Sequence, residues 1–239
     1  MTMRRSLLVL AAAATGFHFA ASVASAQSKS PFDPRLMRER SDSFAIVVQG
    51  APRGFMKESI TARPGGFRLT SQQALGTMMS QETQVDFTGS LEMQEVRQSG
   101  TARGMEMKIG VAYASGRATG TATTPGPQGM KSINVDAEFP AGAVDDNVLM
   151  SLLPTLELTP GATHTVPVFA SGKGTLATMT LTVGARETVT VLAGSFEVHP
   201  VSLTGGDVPV TFFVSAAAPR RVVKMTMPGS PLSFELARP

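Results

Sequence analysis

Three sets of side chains in this sequence have the types and spacing to do chemistry. His164 and His199 are the two histidines beyond residue 26. A histidine can act as a general base or bind a metal. Each of these lies in an alternating, strand-like run with apolar residues as its sheet neighbours, the usual setting of a structural histidine. Asp145-Asp146 could serve as paired carboxylates. They also stand directly before Val148, Leu149, Leu152 and Leu153, where acidic residues cap a helix and meet its dipole. The methionines form the third set. Met105-x-Met107 and Met225-x-Met227 each place two thioethers on one strand face, and Met78-Met79 are adjacent. Thioethers are soft ligands suited to Cu(I). A pair at i, i+2 on a strand is about 6–7 Å apart, and no histidine stands near any of the pairs in sequence. Two readings of the methionines stay open: filling irregular gaps in a core, or lining a cavity for a flexible apolar ligand.

No nucleophile and base come together in a recognisable pattern. The chain has no G-x-S-x-G, no H-E-x-x-H and no G-x-x-x-x-G-K-[ST]. The GKG at 172–174 lacks the upstream glycine and the following helix, so it reads as a turn. With no assembled pair, hydrolytic catalysis has little support. The expectation is a non-enzymatic protein without cofactor or metal.

Strands must carry these residues. MEMKIGVAY (105–113) alternates, with Met105, Met107, Ile109, Val111 and Tyr113 on one face and Glu106 and Lys108 on the other. FAIVVQ, FMKESITAR, VDFTGSLEMQEV, RATGTATT and SINVDAEF read the same way. Between RATGTATT and SINVDAEF, PGPQG (125–129) reads as a ladder breaker. THTVPVF and TLATMTLTV flank the GKG turn as a hairpin, and five further short strands follow to the end. One segment breaks the pattern. DDNVLMSLLP (145–154) has leucines at helical spacing and stops at Pro154. Spacing of 8–12 residues with turns between implies an all-β fold.

The whole chain narrows the class further. Arg4-Arg5, an apolar run and Ala24-Ser25-Ala26 form a secretory signal, with Gln27 as the expected mature start. Residues 27–41, polar and Pro-containing, read as a flexible leader, and 42–239 as a single β-rich domain. The chain has no cysteine, so disulfides and cysteine metal sites are excluded. Once Arg4 and Arg5 leave, the formal charge is near +1. That is too little for a nucleic-acid partner. Arg220, Arg221 and Lys224 are the nearest thing to a basic cluster, and they read as a solvated strand end. A transmembrane barrel would need aromatic girdles, and this chain has no Trp and one Tyr. The expectation is a soluble protein of the periplasm or exterior, not membrane-spanning after signal cleavage.

ETVTVLAGSFEVHPVSLTGGDVPVTFFVSAAAPRRVVKM, followed by FEL, resembles the tail of a group of exported bacterial proteins of unknown function. The shared features are "AGxFE", a strand of the type "VTFFVS" and then "PRxVVK". That group is similar to the periplasmic lipoprotein carriers LolA and LolB. The likeness covers roughly residues 183–236, and more weakly 145–161, where DDNVLMSLLPTLELTPG matches "LLPxLxLxxG". It implies an open β-barrel or half-barrel closed by helices over an apolar cavity that holds acyl chains. The carriers have several lid helices, and this chain offers one short candidate near 145–153. Their functional arginine has no placed counterpart here, so no binding residue carries over. Together, residues and resemblance point to an antiparallel open barrel with one short lid-like helix. Its interior would be lined by Met105, Met107, Ile109, Val111 and Tyr113 and covered by Leu149, Leu152 and Leu153. Such an interior serves equally as a ligand cavity or as a plain packed core. The expected partner is then a lipid or other apolar ligand, or an envelope protein.

Overall fold

The computed structural model describes residues 30–126 and 129–239. The expected signal peptide and its cleavage site lie outside them. Strands β1 (Arg40–Val48), β2 (Ala51–Arg63), β3 (Gly66–Leu75), β4 (Met79–Thr88), β5 (Met93–Ala102), β6 (Met105–Ala114), β7 (Arg117–Gly126) and β8 (Gly129–Glu138) form a continuous meander. The two-residue β9 (Val144–Asp145) leads into a single short helix, α1 (Leu149–Leu152), and a 3₁₀ turn at Leu153–Thr155. The rest is β10 (Thr163–Ala170), β11 (Thr175–Val183), β12 (Glu187–Val191), β13 (Gly194–Thr204), β14 (Val210–Ser215), β15 (Val222–Thr226) and β16 (Leu232–Arg238). All belong to one sheet, in the order 8-7-6-5-4-3-2-1-16-15-14-13-11-10-9, with β12 attached to β13. Every pairing is antiparallel except that of β9 with β10. Over the described residues the protein is therefore mostly β, one large open sheet with one short α-helix.

The sheet curls until its two ends meet with no strand ladder between them, although the Thr124 hydroxyl donates to Gly172 O across the seam at 3.5 Å. The seam is made by side chains under the β10–β11 turn. A Cβ added at Gly172 would stand 3.3 Å from Cδ1 of Ile109 on β6. One added at Gly174, where φ is +66°, would stand 3.3 Å from Cδ1 of Ile133 on β8. Glycine at these two places lets the turn lie directly on the far edge of the sheet, and at Gly174 it also supplies the left-handed backbone.

Cross-strand partners share a face, so the register divides the interior into rungs. Ile60, Leu69, Val85, Val96 and Val111 are successive partners across β2–β6, all 0–1% exposed. Burying each such side chain contributes about 1.5–3 kcal/mol. Two residues along each strand, the next rung reads Glu58, Ser71, Thr83, Gln98, Ile109, Ala122 and Ile133. The rung after that reads Met56, Gln73, Gln81, Gly100 and Met107. One end of the interior is thus apolar and the other mixes amides, hydroxyls and thioethers. Val148, Leu149, Leu152, Leu153 and Leu156 fill the apolar end, with Leu152, Leu153 and Leu156 at 0% exposure.

Four local expectations need correction. PGPQG does not break the ladder: β7 and β8 pair as far as Pro125↔Met130 and Gly126↔Gly129. From residue 30 the leader is docked. Phe32 and Met37 are each 3% exposed, Phe32 bridges to Leu156, and the Asp33 amide donates to Thr155 O at 3.0 Å. Neither Asp145 nor Asp146 caps α1, whose N-cap is Val148 without a side-chain bond. Arg220, Arg221 and Lys224 are not a solvated end. Arg221 meets the buried Asp42 at 2.7 Å, Lys224 meets Glu235 at 2.9 Å, and Arg220 donates to Leu156 O at 3.1 Å. Asp42 also pairs with Arg40 at 3.2 Å. Burial pushes the Asp42 carboxyl up, against the pull of Arg40 and Arg221.

Candidate functional site

The polar end of the interior opens at the seam into a cleft of about 640 Å³. That is within the usual range for small-molecule sites. Strand β6 contributes Met107 and Ile109, β5 contributes Gln98, β10 contributes Val168 and Ala170, and β11 contributes Met179. Asp146, Asn147, Lys173 and Asp207 stand around it. Lys173 is ion-paired to Asp207. The wall is mainly apolar, with thioethers from β6 and β11 and two primary amides, those of Gln98 and Asn147.

Behind Asp146 lies a buried polar knot. The Tyr113 hydroxyl donates to Asp145 Oδ2. Asp145 Oδ1 accepts from the Asn147 backbone amide and from Asn147 Nδ2, both at 2.8 Å. Asn147 Nδ2 also lies 3.2 Å from Ser171 Oγ and 3.1 Å from Asp146 Oδ1. Asp145 and Ser171 are fully buried. Burial, and then the Asp145 charge, hold the Tyr113 hydroxyl far above the ordinary phenol range, so it stays protonated and keeps donating to Asp145. Desolvation and the same Asp145 neighbour push the Asp146 carboxyl up, although part of that residue's surface still faces solvent. The knot fixes β9 against β6 and holds the Asp146 side of the cleft in place. It presents no nucleophile.

The sequence-derived candidates divide between cleft and core. Met107 and Ile109 line the cleft. Met105 lies half-buried at the strand's open end, Val111 belongs to the apolar rung, and Glu106 and Lys108 are exposed. Tyr113 sits at the other end of β6, its ring 4.3 Å from Phe139 and 6.0 Å from Phe169 between centroids. Leu149, Leu152 and Leu153 are buried among core residues and do not border the cleft. Val168, Ala170, Met179 and Gln98 join the site only through the fold. Met179 and Val168 were visible as apolar positions of a hairpin, whereas nothing near Gln98 in sequence marks it.

His199 is 6% exposed, with Nδ1 3.2 Å from Gly184 O, and His164 pairs across from Leu181. Neither borders the cleft. Among the described residues no group of three or more His, Asp or Glu is placed to hold a metal ion.

The profile of one protein family matches residues 85–237, from β4 to β16. The chain belongs to the DUF3108 family, "Protein of unknown function". The DUF3108 match takes in both sides of the cleft, Gln98 and Met107 as well as Val168 and Met179. Among solved structures, the chain is similar to one described as "Beta-barrel-like Protein of Domain of Unknown Function DUF1849 from Brucella abortus". Identity is 12% and the TM-score 0.48, over 83% of this chain and 94% of that one. No curated protein matches the chain.

Proposed function

We propose that this DUF3108 protein is an exported, non-enzymatic envelope protein that holds a lipid or other apolar molecule in the open end of its half-barrel. The observation that carries the reading is the cleft of about 640 Å³ walled by Met107, Ile109, Val168 and Met179. Flexible, polarizable thioethers on opposite walls adapt to a chain of variable shape. The resemblance of residues 183–236 to a group of exported proteins that is in turn similar to the lipoprotein carriers is in keeping with this reading, as are the signal-like residues 4–26. No reaction is assigned. Among the described residues no helix is long and apolar enough to cross a membrane.

The test is a fluorescence titration of the exported protein with an apolar probe. Saturable binding at micromolar protein, weakened at least tenfold by Met179→Asp, is expected. A flat titration removes the reading. The filled apolar end, with Leu152 and Leu153 at 0% exposure, favours a second one. In it the domain is structural and meets an envelope partner through the edge strand β8.

A further inference from the structure

The inference concerns the polar group on the cleft wall and rests on the ligand-holding reading above. Gln98 is 7% exposed, and so is its rung neighbour Thr83. Gln98 lines the cleft beside its other cross-strand partner, Ile109. Among the described residues, neither the Gln98 amide nor the Thr83 hydroxyl hydrogen-bonds to the protein, and neither is sealed from solvent, so the Gln98 amide is open to whatever occupies the cleft. An amide so placed offers a donor and an acceptor to a bound molecule. The apolar rung one step deeper shows that Leu or Val fits this sheet well at such positions.

The charges around the cleft restrict what could satisfy that amide. Among the described residues Lys173 is the one cation on its wall, and Asp207 pairs with it. Asp146 adds a carboxyl on the same side. An anionic head group would meet no uncompensated positive charge here and would face two acidic residues. The Gln98 amide both donates and accepts, so its complement is a neutral group that does the same, a hydroxyl or an amide.

We propose that the cleft selects an uncharged amphiphile, such as a monoacylglycerol-like or fatty-amide-like molecule. Its hydroxyl or amide end hydrogen-bonds Gln98, and its chain lies against Met107 and Met179. Thr83 stands one strand away on the same rung and offers a second polar contact.

The test follows methionine methyl resonances of the exported protein during titration with four ten-carbon probes below their micelle-forming concentrations. These are monodecanoylglycerol, methyl decanoate, decanoate and decyltrimethylammonium. Monodecanoylglycerol should bind about tenfold or more tighter than the other three, shifting the Met107 and Met179 signals. Gln98→Leu should abolish that preference while leaving the melting temperature equal or higher, because the Gln98 amide makes no hydrogen bond to the rest of the protein. Gln98→Met serves the same purpose should the leucine variant fold poorly. Equal binding of all four probes, or tighter binding of a charged one, overturns the head-group assignment and leaves the apolar-ligand reading standing. Unchanged monodecanoylglycerol affinity in the variant, or a lowered melting temperature with affinity intact, assigns Gln98 to structure and also overturns it. Binding of none of the probes overturns both.

Discussion

Val111 and Glu106 lie five positions apart on β6 and face opposite media, the first 1% exposed and the second open to solvent. Val111→Asp would bury a carboxylate among Val85, Val96 and their neighbours with no partner, at a cost of several kcal/mol. That is a large share of the roughly 5–15 kcal/mol typical of a domain. Glu106→Ala should change stability by about 0.5 kcal/mol or less. Urea denaturation of the two variants checks this, and similar midpoints would reverse the assigned faces. Asp86 supplies a pH dependence. Its carboxyl accepts from Arg68 Nε at 2.7 Å and Nη2 at 2.9 Å, and Arg63 pairs with it as well. The Arg68 hydrogen bonds hold it below the ordinary carboxylate value, against a smaller opposing effect of burial. A carboxyl depressed in the folded state stabilises the fold above its unfolded value, near pH 4. That contribution is lost as pH falls through the lower folded value. Melting temperatures of the wild type and Asp86→Asn should therefore differ at pH 7 and converge below about pH 3. The difference is modest, about 1 kcal/mol or less, because both guanidinium groups are about a third or more exposed.

Among the elements, α1 is where the sequence and the structure part most. Its leucines carry the helical spacing of a lid, yet the element is one turn continued by a 3₁₀ turn. Leu152 and Leu153 are sealed in the apolar end, so the helix is a plug. Truncating either to Ala would leave a void, at about 2–5 kcal/mol each. Probe binding at the cleft should persist in whichever variant stays folded, because the two sites do not touch. Thermal unfolding combined with the fluorescence titration checks both halves. Loss of binding without loss of stability would restore the lid. Strand β3 teaches the opposite lesson. Its inner face reads Phe67, Leu69, Ser71, Gln73 and Leu75, with the apolar alternation interrupted at its centre, so it announces itself poorly as a strand. Its ten pairings with β2 and ten with β4 hold it in register without that pattern.

At the scale of the molecule, one curled sheet has to close without a closing ladder. The Gly172 and Gly174 contacts make the seam, and the cleft lies beside it, where the wall is thinnest in side chains. The proposed export belongs to this scale as well. Intact mass of the protein recovered from the periplasm should begin at Gln27. A species retaining Met1 in the membrane fraction would refute it.

The sequence by itself determined the strand-rich class, the inward face of β6 and the hairpin at Gly172–Gly174. All three follow from short-range patterns: alternation, turn residues and a two-residue period. Only the tertiary structure decided what that inward face looks at. Met107 and Ile109 border a cleft while Val111 and Tyr113 are packed, because the opposing wall supplies Val168 and Met179 at one end and leucines of the plug at the other. It also decided the fate of the charges. Arg221 and Asp42 are 179 residues apart in sequence and meet only because β16 joins β1 to β15, so a local reading leaves Arg221 in water. Gln98 shows the limit most clearly. Its flanking sequence is that of any exposed strand, and its place in the cleft wall is a property of the folded sheet alone.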